Sequence, residues 1–112
     1  MSAVHQDLKA ALKHAMVVRD TAATQVLRTT IAAVDNAQAV PLDDDRAPSA
    51  GAGLGVGSTE RQRAAIDDDG VRAVVGGEIA ELLGDAQTFE QLGKAGRAQE
   101  LRAQAAVLQP FA

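Results

Sequence analysis

The sequence predicts an all-α fold, a small bundle of about four helices, and three observations carry that prediction. Apolar residues recur at three- and four-residue intervals on both sides of a Gly- and Asp-rich middle. Of the 52 hydrophobic residues, 24 are Ala, the best helix former, which spends no side-chain entropy on folding. No stretch alternates apolar and polar residues convincingly enough to be a strand.

A chain of 112 residues holds one core, so a single domain over 1–112 is expected. That core is thin. Only 28 hydrophobic residues are larger than Ala, chiefly 11 Val and 10 Leu, with Phe89 and Phe111 the sole aromatics. Such a domain gains from close Ala-mediated helix contacts or from a partner.

The first helix is capped by Ser2 and shows Val4, Leu8, Ala11, Leu12, Ala15 and Val18 to the core, with Lys9 and Lys13 on the opposite face. It breaks at Arg19-Asp20. Asp20 can accept the free amides of a second helix running to about Gln38, whose stripe is Ala23, Val26, Leu27, Thr30, Ile31 and Val34. A short connection between two long helices predicts an antiparallel hairpin. Pro41 ends it.

Residues 41–66 change character, from Asp43-Asp44-Asp45 to the alternating Gly51, Gly53, Gly55 and Gly57. Such a stretch offers little to bury and reads as a flexible loop. A third helix begins near Asp67 or Asp68, where carboxylates complement the positive helix end and Ile66 stands at the staple position. Its stripe is Val71, Val74, Val75, Ile79, Leu82, Leu83, Ala86 and Phe89, with a bend expected at Gly76-Gly77 or Gly84. Gly93 and Gly96 stop it, and Arg97 to Gln109 forms the last helix, with Ala98, Leu101, Ala105 and Leu108 inward.

Composition excludes several classes of function. The absence of Cys removes disulfides, thiolate zinc sites and thiol nucleophiles. His5 and His14 lie nine residues apart on poorly matched helical faces and make no metal pair. The Gly51–Thr59 run has Gly57 where a phosphate loop requires Lys, and the Asp triplets lack the remaining ligands of a calcium loop. No nucleophile, base and orienting acid come together, so neither catalytic residues nor a cofactor are expected. The N-terminus lacks a secretory signal and no apolar run is long enough for a membrane span, which predicts a cytoplasmic chain with no membrane partner.

The net charge of −4 is unevenly spread: residues 1–40 carry +1, residues 41–70 carry −4, and the remainder −1. No strongly basic stripe is present, so any RNA contact is weak and salt-sensitive.

The order and spacing of several short elements resemble the YqeY family, relatives of the tail of the GatB amidotransferase subunit. They are Leu8-Lys9, Ala15-Met16, Arg19-Asp20 and Gln25-Val26-Leu27-Arg28 in the front half. In the back half they are Val71–Ile79, Phe89-Glu90, Gly93-Lys94-Ala95-Gly96-Arg97, Glu100-Leu101 and Val107-Leu108-Gln109-Pro110. The resemblance implies an all-helical accessory module associated with tRNA or with an amidotransferase complex. The family's carbon–nitrogen ligase label, with glutamine as amide donor, belongs to the complex and finds no residue in this chain to perform it. It also implies that residues 41–66 hold an insertion and that the chain keeps the front two-thirds of the family, without its C-terminal bundle.

On this reading Lys9, Lys13, Arg19, Arg28, Lys94 and Arg97 are the candidate phosphate contacts. Gly93-Lys94-Ala95-Gly96-Arg97 is fully explained as a helix terminator, with a phosphate-facing cationic corner as the alternative that the resemblance adds. Where the family carries Lys and Arg, this chain has Gly77-Glu78-Ile79-Ala80-Glu81-Leu82-Leu83-Gly84-Asp85. The adjacent Leu82 and Leu83 therefore mark a candidate protein interface, and the alternative function is a protein-interaction or homodimerisation module with no RNA binding.

Overall fold

The computed structural model describes residues 2–39 and 66–112, so the loop expected over 41–66 lies, but for Ile66, outside the described residues. Among the described residues there are four helices, α1 (Ala3–Val17), α2 (Thr21–Ala39), α3 (Asp68–Gln91) and α4 (Ala95–Leu108), closed by a 3-10 turn at Gln109–Phe111. No strand occurs among the described residues. The all-α bundle is what the apolar periodicity predicts.

The helix starts are set by their caps. Ser2 Oγ accepts from the His5 amide at 3.1 Å, Asp20 Oδ1 from the Ala23 amide at 3.1 Å, and Asp67 Oδ1 from the Gly70 amide at 2.9 Å. Each satisfies an amide that the first turn leaves without a partner. Gly70 fits because Ile66 folds back over it: a Cβ there would lie 3.1 Å from Ile66 Cβ.

Both hairpin corners close by one device, a residue of positive φ just past the helix end. After α3 that residue is Gly93, at φ 80°. Its amide donates to Glu90 O at 3.0 Å and the Lys94 amide to Phe89 O at 2.8 Å. After α1 the position belongs to Arg19, at φ 61°. Its amide donates to Met16 O at 3.2 Å and the Asp20 amide to Ala15 O at 2.9 Å. A left-handed conformation costs a residue with a Cβ roughly 1 kcal/mol that Gly does not pay.

Several sequence expectations are corrected. Val18 is exposed, because it caps α1 at the point where the chain turns away and no neighbour covers it. Helix α4 starts at Ala95, so Gly93 alone supplies the stop and Gly96 lies within the helix.

The core falls into two parts. The main cluster joins Val4, Leu8, Ala15, Ala23, Val26, Leu27 and Val34 of the first hairpin to Val71, Val75, Ile79, Ala105 and Leu108 of the second. Full burial of each of its Leu and Val side chains is worth about 1.5 to 3 kcal/mol. A smaller cluster, Ala86, Ala98 and Leu101 with Leu82 and Phe89 against it, belongs to α3 and α4 alone. The second hairpin thus projects past the shared core. Helix lengths agree: α1 has 15 residues and α3 has 24, or roughly 22 and 36 Å at the α-helical rise.

Hydrogen bonds at the base tie the hairpins together. Asp68 Oδ1 accepts from Ser2 Oγ at 2.6 Å and from the Val4 amide at 3.3 Å, so a carboxylate in the first turn of α3 holds the start of α1. The Ser2 hydroxyl first and the Val4 amide second hold the Asp68 carboxyl below its ordinary range. Beside them, buried His5 brings Nε2 within 3.2 Å of Asp35 Oδ1, without the alignment of a hydrogen bond.

Candidate nucleic-acid interface

All six candidate phosphate contacts lie on the surface, but they fall into two groups with different surroundings. Lys9, Lys13, Arg19 and Arg28 belong to the α1–α2 hairpin. Lys9 and Lys13 are one helical turn apart, and Met16 continues their row at the next step of three. From α2, Arg28 Nη2 approaches Met16 Sδ at 3.9 Å. The row therefore extends across both helices, and Arg19 stands beyond it at the corner.

None of these four cations makes an ion pair among the described residues. One acid of the same hairpin is otherwise engaged, Asp20 by the Ala23 amide.

Lys94 and Arg97 sit at the opposite hairpin's corner in a different setting. Arg97 Nη1 meets Glu100 Oε1 at 3.0 Å, and its guanidinium lies 6.0 Å from the centre of the Phe89 ring. Arg72 lies 3.6 Å from Asp69, and Arg102 pairs with Glu90 across α3 and α4. Every arginine of the second hairpin thus has an acidic neighbour. Lys94 is the N-cap of α4, where it supplies no side-chain hydrogen bond. Its positive charge there opposes the helix dipole.

The two leucines proposed for a protein interface diverge. Leu82 is half-buried and packs against both core clusters. Leu83 is 44% exposed, and Leu92 at the end of α3 is 63% exposed. Leu82 is directed inward, while Leu83 and Leu92, nine residues apart and so on opposite sides of α3, are two separate exposed side chains.

The exposed run Met16-Val17-Val18 emerges only from the structure, with Val17 74% exposed. A signal for it exists in the sequence: three consecutive helical residues span about 200° of arc, so they cannot all face one core.

No group of acidic residues and histidines able to hold a metal ion occurs among the described residues. No helix of these residues is long and apolar enough to cross a membrane.

No protein-family model matches the chain, and neither a curated protein nor a solved structure matches it.

Proposed function

We propose that the chain is a non-catalytic accessory module that contacts RNA, in the manner of the tRNA-associated tail of the glutamine-dependent amidotransferase whose family it resembles in sequence. On this reading amide transfer is the work of other proteins in the complex, and this chain helps to hold the tRNA. The observation that supports it is the row Lys9, Lys13 and Arg28 with Arg19 at its end, four cations without an acidic partner among the described residues. Without an acidic partner among the described residues, these four cations can meet phosphates directly, whereas Arg72, Arg97 and Arg102 of the second hairpin would first have to leave Asp69, Glu100 or Glu90.

Fluorescence anisotropy of labelled tRNA tests the proposal. Lys9→Ala with Lys13→Ala and Arg28→Ala should abolish most of the binding, whereas Arg97→Ala should change it little. Equal losses from both sets, or no binding by the unmodified chain at low salt, would count against it.

The exposed Leu83 supports a second reading, a protein-interaction or dimerisation module without RNA binding. It requires that Leu83→Glu disrupt a complex seen by sedimentation.

A further inference from the structure

The α1–α2 corner joins two features that phosphate contact does not explain. Met16, Val17 and Val18 are 49%, 74% and 54% exposed, the longest run of exposed large apolar residues in the described chain. They lie inside the cationic surface, between Lys13 and Arg19 in sequence and with Arg28 against the Met16 sulfur. Next to them, Arg19 occupies a left-handed position that Gly would fill without strain. A surface built only for the backbone of a duplex has no use for three apolar side chains, because that backbone presents phosphate and sugar.

We infer that this corner reads unpaired bases: Met16, Val17 and Val18 meet exposed base faces while Lys13, Arg19 and Arg28 hold the flanking phosphates. The inference rests on the RNA reading above and narrows its substrate to RNA with single-stranded or looped-out bases. Charge selects the occupant, since exposed apolar side chains on successive faces of the helix end, with Arg28 against Met16 and Lys13 one turn back, match a ligand that is anionic along its backbone and apolar on its base faces. Unpaired bases carry both properties on one strand; paired bases within a helix hide their faces in the stack. Aliphatic side chains supply less contact than an aromatic platform, so the preference is modest and tolerant of sequence.

The experiment compares a labelled single-stranded RNA with a blunt duplex of the same number of phosphates, at one salt concentration, using the full chain. The single strand should bind about five- to tenfold more tightly, a difference of about 1 kcal/mol. Val17→Ser with Val18→Ser, both exposed, should erase that preference while duplex affinity stays within about twofold. Arg19→Gly should weaken both RNAs and raise Tm, which separates loss of contact from loss of fold.

Equal affinity of the unmodified chain for the two RNAs, or a preference that survives the double Ser variant, would overturn the inference and leave the phosphate row intact. Binding to neither RNA would overturn the RNA reading and this inference with it. A dimer that Val17→Ser dissolves, with no preference between the RNAs, would assign the corner to a second copy of the chain and overturn the inference.

Discussion

Ser2 Oγ accepts from the His5 amide at 3.1 Å and donates to Asp68 Oδ1 at 2.6 Å, so one hydroxyl caps α1 and fastens the first hairpin to the second. A residue 66 positions away in sequence completes the first turn of the fold. Ser2→Ala removes both bonds at once and should cost about 1 to 2 kcal/mol, read as a lower midpoint of urea unfolding at pH 7.

Asp68 makes the same junction sensitive to acid. Its carboxyl is held below the ordinary range in the folded chain, chiefly by Ser2 and then by the Val4 amide. The unfolded chain therefore binds the proton first as pH falls, and the stability from Asp68 is complete at neutral pH and lost below about pH 4. In Asp68→Asn the fall in Tm between pH 5 and pH 3 should be shallower than in the parent. An unchanged slope would place the acid sensitivity elsewhere.

Glu78 runs the other way. Burial, and then repulsion from Glu81 one turn on, raise its pKa. The folded chain takes up the proton more readily than the unfolded one, so the penalty is absent in acid and grows as pH rises through the Glu range. Glu78→Gln should raise Tm at pH 7 and leave it unchanged at pH 3, a comparison that differential scanning calorimetry can make.

Arg19 is strained and exposed, and the two properties separate stability from binding. Arg19→Gly relieves the left-handed backbone and should stabilise the chain by about 0.5 to 1 kcal/mol, or a few degrees in Tm. A loss of stability would show that the Arg19 side chain makes a contact worth more than the strain.

The adjacent leucines make a sharper pair. Leu82 packs against both clusters, so Leu82→Ala should cost about 2 kcal/mol, whereas exposed Leu83→Ala should stay within about 0.5 kcal/mol. The contrast is measurable by urea titration of the two variants.

The four helices were legible because Ser2, Asp20 and Asp67 are strong caps and because apolar spacing states which face turns inward. Gly93 was legible as a stop for the same local reason. Arg19 was not, since an Arg carries no signal for positive φ; it is the demand of the α1–α2 corner that places it there. The division between Leu82 and Leu83 depends on where α1, α2 and α4 lie around α3, which the α3 sequence alone does not state. Among the candidate cations, the residue types marked the surface but could not rank it. The Arg97–Glu100 pair follows from a spacing of three on one helix, whereas Arg102–Glu90 spans two helices and required the fold.

The central claim, that the cations of the α1–α2 hairpin hold RNA phosphates, is tested most directly by the salt dependence of tRNA binding. With about four phosphates neutralised, affinity should fall roughly 50- to 150-fold between about 50 and 200 mM salt, and the slope should flatten in Lys9→Ala with Lys13→Ala. Binding that is absent at 50 mM, or whose salt dependence is the same in that variant, would contradict it.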